Sequence, residues 1–364
     1  YHQRLLQLAK HAELEGDALF SLIASFRDKR MIVIGESIID TYILCAQPRI
    51  ASESPVMTLR PIEARHYDGG AAIIARHCAA MGAKPILITP LPDPATHASS
   101  QTFINRMADD GVEVRPIPLG NVLPEKQRFL VGQQKLMKID LVEPYLLDAS
   151  QQDQVIQAAT KAARDLAAAN TPCDAAIIAD FGLGLFTPKM LASLCRKLRP
   201  LTGVLAADIS GGRAGLRSMK RVDLVCPSEH ELREAMQLEF EGLPMVASRL
   251  LEELAAKHAI VTMGPDGLIA FSPKQTTGPT LAVDEPNPAS NPPDSETWTS
   301  RLTSEHIPAL SQSALDPLGC GDSLLAAATL ALASKAPITV AAYLGAIAAA
   351  VQVQRLGNLP VSAP

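Results

Sequence analysis

Aromatic residues are scarce in this chain of 364 residues. Phe, Trp and Tyr together make up 4% of it, although 47% of the residues are hydrophobic. The interior of the folded protein must therefore be built mainly from Ala, Leu, Ile and Val. A chain of this length can bury a large core, and it allows one large α/β domain or two smaller ones.

Basic residues are not in excess either. The chain has 33 Lys and Arg against 38 Asp and Glu, which gives a formal net charge of −5. Proteins that bind nucleic acids or anionic membranes usually present a basic surface. The longest apolar run, PITVAAYLGAIAAAVQV, is shorter than the roughly 20 residues that a membrane-spanning helix needs. We therefore expect neither a nucleic acid nor a membrane as a partner.

Closely spaced cysteines and histidine motifs are also absent. The six cysteines include no C-x-x-C pair, a pattern typical of reduced thiols in a cytoplasmic protein. The eight histidines show neither H-x-x-x-H nor H-E-x-x-H spacing, so the sequence contains no recognisable histidine-rich metal site. We expect a cytoplasmic location.

What the sequence does contain is a regular alternation of strand-like and helix-like segments from residue 31 onward. MIVIG and PILITP are strand-like apolar runs, and AAIIARHCAAMGA between them has a helical pattern. Such alternation predicts an α/β fold with a central, mainly parallel sheet flanked by helices. Residues 1–30 would form a helical extension in front of a single domain over 31–364.

Three segments depart from this alternation. Residues 41–70 and 112–143 contain short strand-like runs between prolines and glycines, and we assign them to a small β lid. The segment 272–306 is rich in Pro, Ser, Thr and Asn and contains the only tryptophan. A loop of this length in a compact domain is either functional or disordered, and we expect a flexible surface insertion.

The stretch DPLGCGD (316–322) places two glycines and an aspartate at the start of an otherwise apolar helix. Glycines let backbone N–H groups converge, and a helix N-terminus attracts anions. An aspartate there would compete with the anion unless it had another task, such as accepting a hydroxyl proton during phosphoryl transfer. The alternative is that Asp322 only caps its helix.

DPLGCGD resembles the D-x-T-G-A-G-D signature of the ribokinase-like (phosphofructokinase-B) carbohydrate kinases. Five further segments resemble that family in the same order: MIVIGESIIDTYI, YDGGAAIIARHCAAMGA, QRFLVGQQKLMKID, ADFGLGLFT and VTMGPDG. Within the family, the chain most resembles the kinase domain of the bifunctional heptose-phosphate kinase/ADP-heptose synthase. The resemblance implies a ribokinase-like fold, ATP and Mg²⁺ as cofactors, and a sugar or sugar phosphate as the acceptor.

The resemblance also implies roles for individual residues. Asp322 would be the catalytic base, and the anion hole would be formed by the N–H groups of Gly319, Cys320 and Gly321. The acceptor would be bound by Asp40, Gly69, Gly70 and Lys138, with Arg128 as a further candidate for a substrate phosphate. The structural alternatives are a turn at Asp40, an ordinary helix start at the glycines and solvated charges on a strand face.

The nucleotide and metal positions follow in the same way. The resemblance implies that the nucleotide is bound by Thr262, Gly264, Gly267, Asp316 and Asp180, the last in a glycine loop with Gly182 and Gly184. Glu231 would help to organise Mg²⁺ through water, which suits an ion that retains several waters. Each position also has a simpler interpretation, as a hairpin turn, a strand-to-helix turn or, for Glu231, a solvated helix residue.

The chain departs from the family pattern at six positions, which carry Leu318, Cys320, Ile73, Ser228, Leu183 and Ser210. Cys320 takes the place of the usual alanine and is expected to be a small, space-filling residue. Leu183 and Ser210 replace basic residues, which weakens the electrostatic stabilisation of a transferring phosphate. Three hypotheses therefore stay open: a kinase of a sugar or sugar phosphate, a kinase of a less polar alcohol, and a catalytically weak pseudokinase that acts as a binding or scaffold module.

Two further expectations concern assembly and a second activity. A lid with exposed edge strands is best protected by pairing with another copy, and the resembled heptose kinase suggests a homodimer through the lid. The resembled bifunctional enzyme carries an H-x-G-H-type motif in its second half. No such motif occurs in this sequence, so we expect no adenylyl transfer from these 364 residues.

Overall fold

The computed structural model describes residues 16–168, 173–210, 213–274, 301–311 and 313–363. The helices are Gly16–Ala24 (α1), Ala71–Ala80 (α2), Ala98–Asp109 (α3), Ala149–Ala168 (α4), Pro188–Leu198 (α5), Arg213–Leu216 (α6), Glu229–Met236 (α7), Leu243–Leu254 (α8), Cys320–Ala333 (α9) and Ile338–Gln352 (α10). Within the described ranges, none of these helices is both long and apolar enough to cross a bilayer.

The strands belong to one large and two small sheets. They are Arg30–Gly35 (β1), Ser37–Cys45 (β2), Arg49–Ile50 (β3), Met57–Thr58 (β4), Pro61–Gly70 (β5), Lys84–Leu91 (β6), Glu113–Pro118 (β7), Glu125–Val131 (β8), Gln134–Leu141 (β9), Cys173–Asp180 (β10), Thr202–Ile209 (β11), Leu224–Val225 (β12), His258–Thr262 (β13), Leu268–Pro273 (β14) and Leu302–Ile307 (β15). Strands β3 and β4 form a two-stranded hairpin.

The large sheet has nine strands in the order β15-β14-β13-β12-β11-β10-β1-β6-β7. All neighbours from β13 to β7 run parallel, and β14 and β15 add an antiparallel edge. Strand β1 lies inside the sheet because its residues are apolar on both faces. Met31 and Val33 pack into one core cluster, whereas Ile32 and Ile34 pack into the other. The predicted α/β architecture is confirmed.

The order of the strands indicates where a ligand would bind. Strand β6 pairs with one side of β1, and β10, which comes later in the chain, pairs with the other side. Open α/β sheets bind ligands outside the carboxyl ends of their strands, next to such a reversal of strand order. The carboxyl ends of β10, β11 and β13 lie at this edge of the sheet, at Asp180, Ile209 and Thr262.

The lid is a separate four-stranded sheet with the order β5-β2-β8-β9. It begins at Ser37, a few residues before the predicted boundary at 41. The predicted second lid segment, 112–143, needs a larger correction, because Glu113–Pro118 forms β7 and pairs in parallel with β6 at the edge of the large sheet. Helix α3 connects β6 to β7, so this segment continues the strand–helix–strand alternation of the main sheet.

The predicted insertion 272–306 is also narrower than expected. Its two ends belong to β14 and β15, which pair antiparallel from Leu268 opposite Ile307 to Pro273 opposite Leu302. The remainder, 275–300, lies outside the described residues, as do residues 1–15 of the predicted helical extension. Of that extension, Gly16–Ala24 is helical, and Arg30 already belongs to β1.

Residues 275–300 are predicted to be dispensable for folding. The N–H of Lys274 donates to the carbonyl of Arg301 at 2.7 Å, so the two ends already meet like the ends of a hairpin. Replacing 275–300 by a short turn should change the melting temperature by less than about 4 °C in a thermal unfolding experiment. Deletion of 302–307 is the matched control and should prevent cooperative unfolding, because it removes the edge strand β15. Loss of cooperative unfolding in the first variant would show that 275–300 contributes to the core.

Candidate active site

Helix α9 begins with a turn that requires glycine at position 319. Gly319 has a φ of 78°, and a Cβ there would lie 2.1 Å from Asn358 Oδ1. At Gly321, an added Cβ would meet no heavy atom within 4 Å, so this turn faces open space. Helix geometry leaves the N–H groups of Gly321 and Asp322 without intrahelical acceptors. The start of α9 can therefore receive an anion.

Cys320 contributes less to this site than the sequence predicts. Its N–H donates to the carbonyl of Pro317 at 3.3 Å, so it is not free for an anion. Burial raises the pKa of its thiol to about 12, and the charges of Asp316 and Asp322 add to the rise. The thiol is therefore protonated at neutral pH, and Cys320 behaves as a small, space-filling residue.

Asp322 lies in the first turn of α9 and is partly exposed. Burial raises the pKa of its carboxyl group to about 7, Asp40 contributes to the rise, and Lys126 opposes it. Among the described residues, no N–H or hydroxyl group donates a hydrogen bond to its carboxylate, so the geometry gives the capping alternative no support. A carboxylate with a pKa near neutrality suits a general base.

The residues predicted to bind the sugar meet at the base of the lid. Asp40 on β2 is 4% exposed, and it accepts hydrogen bonds from Arg128 and from Asn358 Nδ2, the latter at 3.1 Å. A Cβ at Gly69 would lie 2.4 Å from Asp40 Oδ2, so the carboxylate fits only against a glycine. Gly70 follows with a φ of 63° and precedes α2. The structure therefore brings Asp40, Gly69 and Gly70 together.

Lys138 does not belong to this group. Its Nζ lies 2.9 Å from Asp140, and both side chains are about half exposed. It shares the inner face of the lid with Arg128, but the geometry gives it the character of a solvated surface charge. The prediction that Lys138 binds the substrate is therefore not supported. Lys126, which the sequence analysis missed, is the lid lysine that interacts electrostatically with Asp322.

A cavity of about 690 Å³ lies beside the start of α9. Thr262, Gly264 and Gly267 line it, as do Cys320 and Gly321. Its remaining wall is mostly apolar and includes Leu310, Leu324, Ala346, Ala349 and Val353. This volume is typical of small-molecule sites. The apolar wall suits a nucleobase, and the N–H groups of α9 suit its phosphates.

Asp316 is not among the residues that line this cavity. It is fully buried and accepts hydrogen bonds from Tyr42 Oη (2.5 Å), Lys135 Nζ (2.6 Å) and the N–H groups of Gly357 (3.0 Å) and Leu318 (3.1 Å). Burial alone would raise its pKa, but the bonds from Lys135 and Tyr42 hold the pKa below its ordinary value. The geometry gives no support to the predicted nucleotide role of Asp316, because its oxygens tie the lid to the start of α9.

Asp180 forms a hydrogen bond within its own loop. It is 6% exposed, and its Oδ1 accepts the N–H of Gly182 at 2.9 Å. Beside it, the fully buried Glu36 accepts the N–H groups of Phe181 at 3.0 Å and Leu185 at 3.3 Å. Burial raises the pKa of Glu36 to about 7, and the charge of Asp180 adds to the rise. These two carboxylates shape the glycine loop, and direct binding of the nucleotide by Asp180 is not supported.

Glu231 forms a capping box at the start of α7. Its Oε2 accepts bonds from Ser228 N (2.8 Å) and Ser228 Oγ (2.7 Å), while its own N–H donates to Ser228 Oγ at 3.2 Å. Asp208, near the end of β11, was missed by the sequence analysis. Burial raises the pKa of Asp208 well above its ordinary value, and the charges of Asp322 and Glu231 add to the rise. Three carboxylates therefore lie close enough to interact.

The carboxylates around Asp208 fit an Mg²⁺ ion that is also bound by the phosphates of a nucleotide. Within the described parts of the chain, no three His, Cys, Asp or Glu side chains are grouped closely enough to hold a metal by themselves. Mg²⁺ usually keeps several waters and is bound through one or two carboxylates together with substrate phosphates. Asp208 and Glu231 are the side chains that could take part in such a site.

Residues 28–289 match the family model described as pfkB family carbohydrate kinase. The chain belongs to this family. The predicted family and the predicted enzyme class, a carbohydrate kinase, agree with this result, and the comparisons give no support to the pseudokinase alternative.

The pfkB family chain is also similar to individual relatives and solved structures. It is 27% identical over 350 residues to the Bifunctional protein HldE of Caulobacter vibrioides, with 95% of this chain and 64% of that protein covered. It therefore spans less than two thirds of that relative. It resembles the crystal structure of phosphofructokinase-2 from Escherichia coli (TM-score 0.67, 18% identity, 92% of this chain and 95% of that chain). It also resembles the ribokinase of Arabidopsis thaliana complexed with ribose and ATP (TM-score 0.61, 15% identity, 92% and 96%). The ribokinase-like fold is confirmed.

Tyr42→Phe tests the network around Asp316. The substitution keeps the ring but removes one of four donors to a buried carboxylate, which should lower the free energy of unfolding by about 1–3 kcal/mol. Chemical denaturation measures this change. Tyr343→Phe on α10 is the matched control and should stay within about 0.5 kcal/mol of the wild type. An unchanged denaturation midpoint in Tyr42→Phe would mean that the hydroxyl contributes nothing to the fold.

Proposed function

We propose that this protein transfers the γ-phosphate of ATP to a hydroxyl group of a sugar or sugar phosphate. The observation that carries the proposal is the position of Asp322. Its carboxylate lies in the turn that presents free N–H groups beside the cavity, and it interacts with Asp40 at the base of the lid. Heptose 7-phosphate is the first acceptor to test, because of the resemblance to heptose-phosphate kinases.

The reaction follows from the roles of these residues. The acceptor oxygen forms a bond to the γ-phosphorus, the bond from that phosphorus to the bridging oxygen breaks, and its electron pair leaves with ADP. Asp322 accepts the hydroxyl proton. The N–H groups of Gly321 and Asp322 stabilise the charge on the transferring group. Arg128 and Asn358 hold Asp40 in place, and its remaining lone pairs can accept hydrogen bonds from sugar hydroxyls.

We propose that the nucleotide lies in the cavity beside Thr262 and Gly264, with its phosphates toward Gly321. A bound Mg²⁺ near Asp208 and Glu231 would supply charge neutralisation on the phosphates. These two residues would contribute carboxylate oxygens near Asp322, with which Asp208 interacts electrostatically.

We also infer a cytoplasmic location. All six cysteines are free thiols in the structure, which is typical of proteins in a reducing compartment.

Asp322→Asn tests the assignment of the base. The amide cannot accept the hydroxyl proton, so kcat should fall by at least about 100-fold while the affinity for ATP stays within about twofold of the wild type. ATP consumption with Mg²⁺, measured across a panel of sugars and sugar phosphates, gives the first quantity, and equilibrium titration with ATP gives the second.

The wild-type pH profile provides a second measurement of the same assignment. The raised pKa of about 7 means that Asp322 becomes protonated, and inactive as a base, as the pH falls below neutrality. We expect kcat/KM to decrease below about pH 7 and to level off above it. Substantial turnover by Asp322→Asn would show that another group accepts the proton.

We propose that two copies associate through the outer face of the lid, the face turned away from Asp40. Strand register places Ala64, Ile43, Phe129 and Met137 in one row across all four strands on this face. The apolar surface continues along β9, where Ile139 is 37% and Leu141 49% exposed. Contiguous exposed apolar residues on a sheet with free edges mark an association surface.

The double substitution Met137→Glu and Ile139→Glu tests this association. It places like charges at the centre of the proposed interface, so the protein should sediment as a monomer where the wild type sediments as a dimer. Lys138→Glu is the control, because it lies on the same strand but on the inner face, and it should leave the dimer intact. A monomeric wild type at micromolar concentration would contradict the proposal.

A further inference from the structure

Lys126 occupies the middle of a row of charged residues on the inner face of the lid. Strand register places it opposite Asp40 on β2 and opposite Asp140 on β9. Side chains that face one another across neighbouring strands lie on the same side of the sheet. Lys126 therefore projects from the same face as Asp40, toward the body of the protein, and it is partly buried.

Asp40 and Asp140, the two carboxylates opposite Lys126, bind other donors. Asp40 accepts hydrogen bonds from Arg128 and Asn358, and Asp140 pairs with Lys138. In the parts of the chain that the structure describes, no carboxylate oxygen lies within ion-pair distance of Lys126 Nζ. A partly buried ammonium group without an ion pair is unfavourable unless a ligand supplies the counter-charge.

The ammonium group of Lys126 interacts with two carboxylates of the site, Asp40 at the predicted sugar-binding residues and Asp322, the proposed base. The charge of Lys126 lowers the pKa of Asp322, and Asp40 in turn interacts with Lys126. Burial lowers the pKa of Lys126 itself. A cation in this position faces the region through which the γ-phosphate must pass to reach an acceptor hydroxyl.

The loops that follow β10 and β11 present no basic side chain at Leu183 and Ser210. Leu183 is 7% exposed and belongs to the hydrophobic core, and Ser210 donates its N–H to the carbonyl of Asp180 at 2.8 Å. Phosphoryl transfer depends on cations or N–H groups placed around the transferring charge. In this chain, the lid is the element that presents a lysine beside Asp322.

We propose that Lys126 binds a phosphate oxyanion beside Asp322. The proposal rests on the proposed kinase function for the identity of the reaction but not for the binding itself. The phosphate has two sources, the γ-phosphoryl group in transfer or a phosphate that the acceptor already carries. In either case Lys126 donates hydrogen bonds to non-bridging oxygens, and none of its covalent bonds changes.

The first experiment measures binding without turnover. Inorganic phosphate is titrated by calorimetry into protein saturated with Mg²⁺ and ADP, for the wild type, Lys126→Met, Lys126→Arg and Lys138→Met. Loss of a charge-assisted hydrogen bond should weaken phosphate binding by Lys126→Met about tenfold or more. Lys126→Arg keeps the charge and should stay within about threefold of the wild type, and Lys138→Met within about twofold.

The second experiment distinguishes the two sources by steady-state kinetics on phosphorylated and unphosphorylated acceptors. If Lys126 binds the transferring group, Lys126→Met lowers kcat by the same factor for both kinds of acceptor. If it binds the acceptor's own phosphate, KM rises for phosphorylated acceptors alone. Either pattern supports the proposal. If no acceptor is turned over, the proposed function fails, but the phosphate titration still tests Lys126.

Three outcomes would overturn the proposal. These are a wild type that binds no phosphate in the ADP complex, a Lys126→Met protein with wild-type phosphate affinity, and an equal loss of affinity in Lys138→Met. Lys126→Gln is measured in parallel, so that the test stays decisive if Lys126→Met folds poorly. Circular dichroism and the melting temperature establish that each variant is folded before it is titrated.

Discussion

A single buried carboxylate, Asp316, connects three parts of the chain that lie around the site. Its donors come from the lid (Tyr42 and Lys135), from the turn before α9 (Leu318) and from the loop after α10 (Gly357). A buried charge that loses its partners is strongly destabilising. If the lid moved away, Asp316 would lose the hydrogen bonds from Tyr42 and Lys135, and its charge would be either buried without partners or exposed to water. The position of the lid is therefore coupled to the shape of the turn before α9.

The loop after α10 extends this coupling to the turn before α9 and to Asp40, the carboxylate predicted to bind the sugar. Gln352 Nε2 donates to the carbonyls of Leu318 and Gly357, at 3.3 and 2.8 Å, which fixes the turn before α9 from behind. Asn358 donates to Asp40 at 3.1 Å, and a Cβ on Gly319 would lie 2.1 Å from Asn358 Oδ1. One asparagine thus touches the carboxylate predicted to bind the sugar and the glycine that shapes the anion-binding turn.

The parts of this arrangement that the sequence predicts are those encoded locally. The apolar run of β1 and the glycines around Cys320 act within a few residues, so the central sheet and the start of α9 could be predicted. Residues 112–118 could not be placed, because a strand pattern does not say which sheet the strand joins. Asp316 and Asp322 look alike in sequence, and only contacts with residues more than 40 positions away separate their roles. Asn358 and Asp208 escaped prediction for the same reason.

The side chains of Leu183 and Ser210 carry no positive charge. Both positions follow strands of the rigid main sheet, where a cation would act whether the lid is open or closed. Lys126 lies on the lid, and its charge acts on Asp322 in the lid position that the hydrogen bonds from Tyr42 and Lys135 to Asp316 stabilise. Electrostatic stabilisation weakens steeply once water enters between the charges. The positive charge that Lys126 contributes beside Asp322 therefore depends on the same hydrogen bonds to Asp316 that hold the lid against the start of α9.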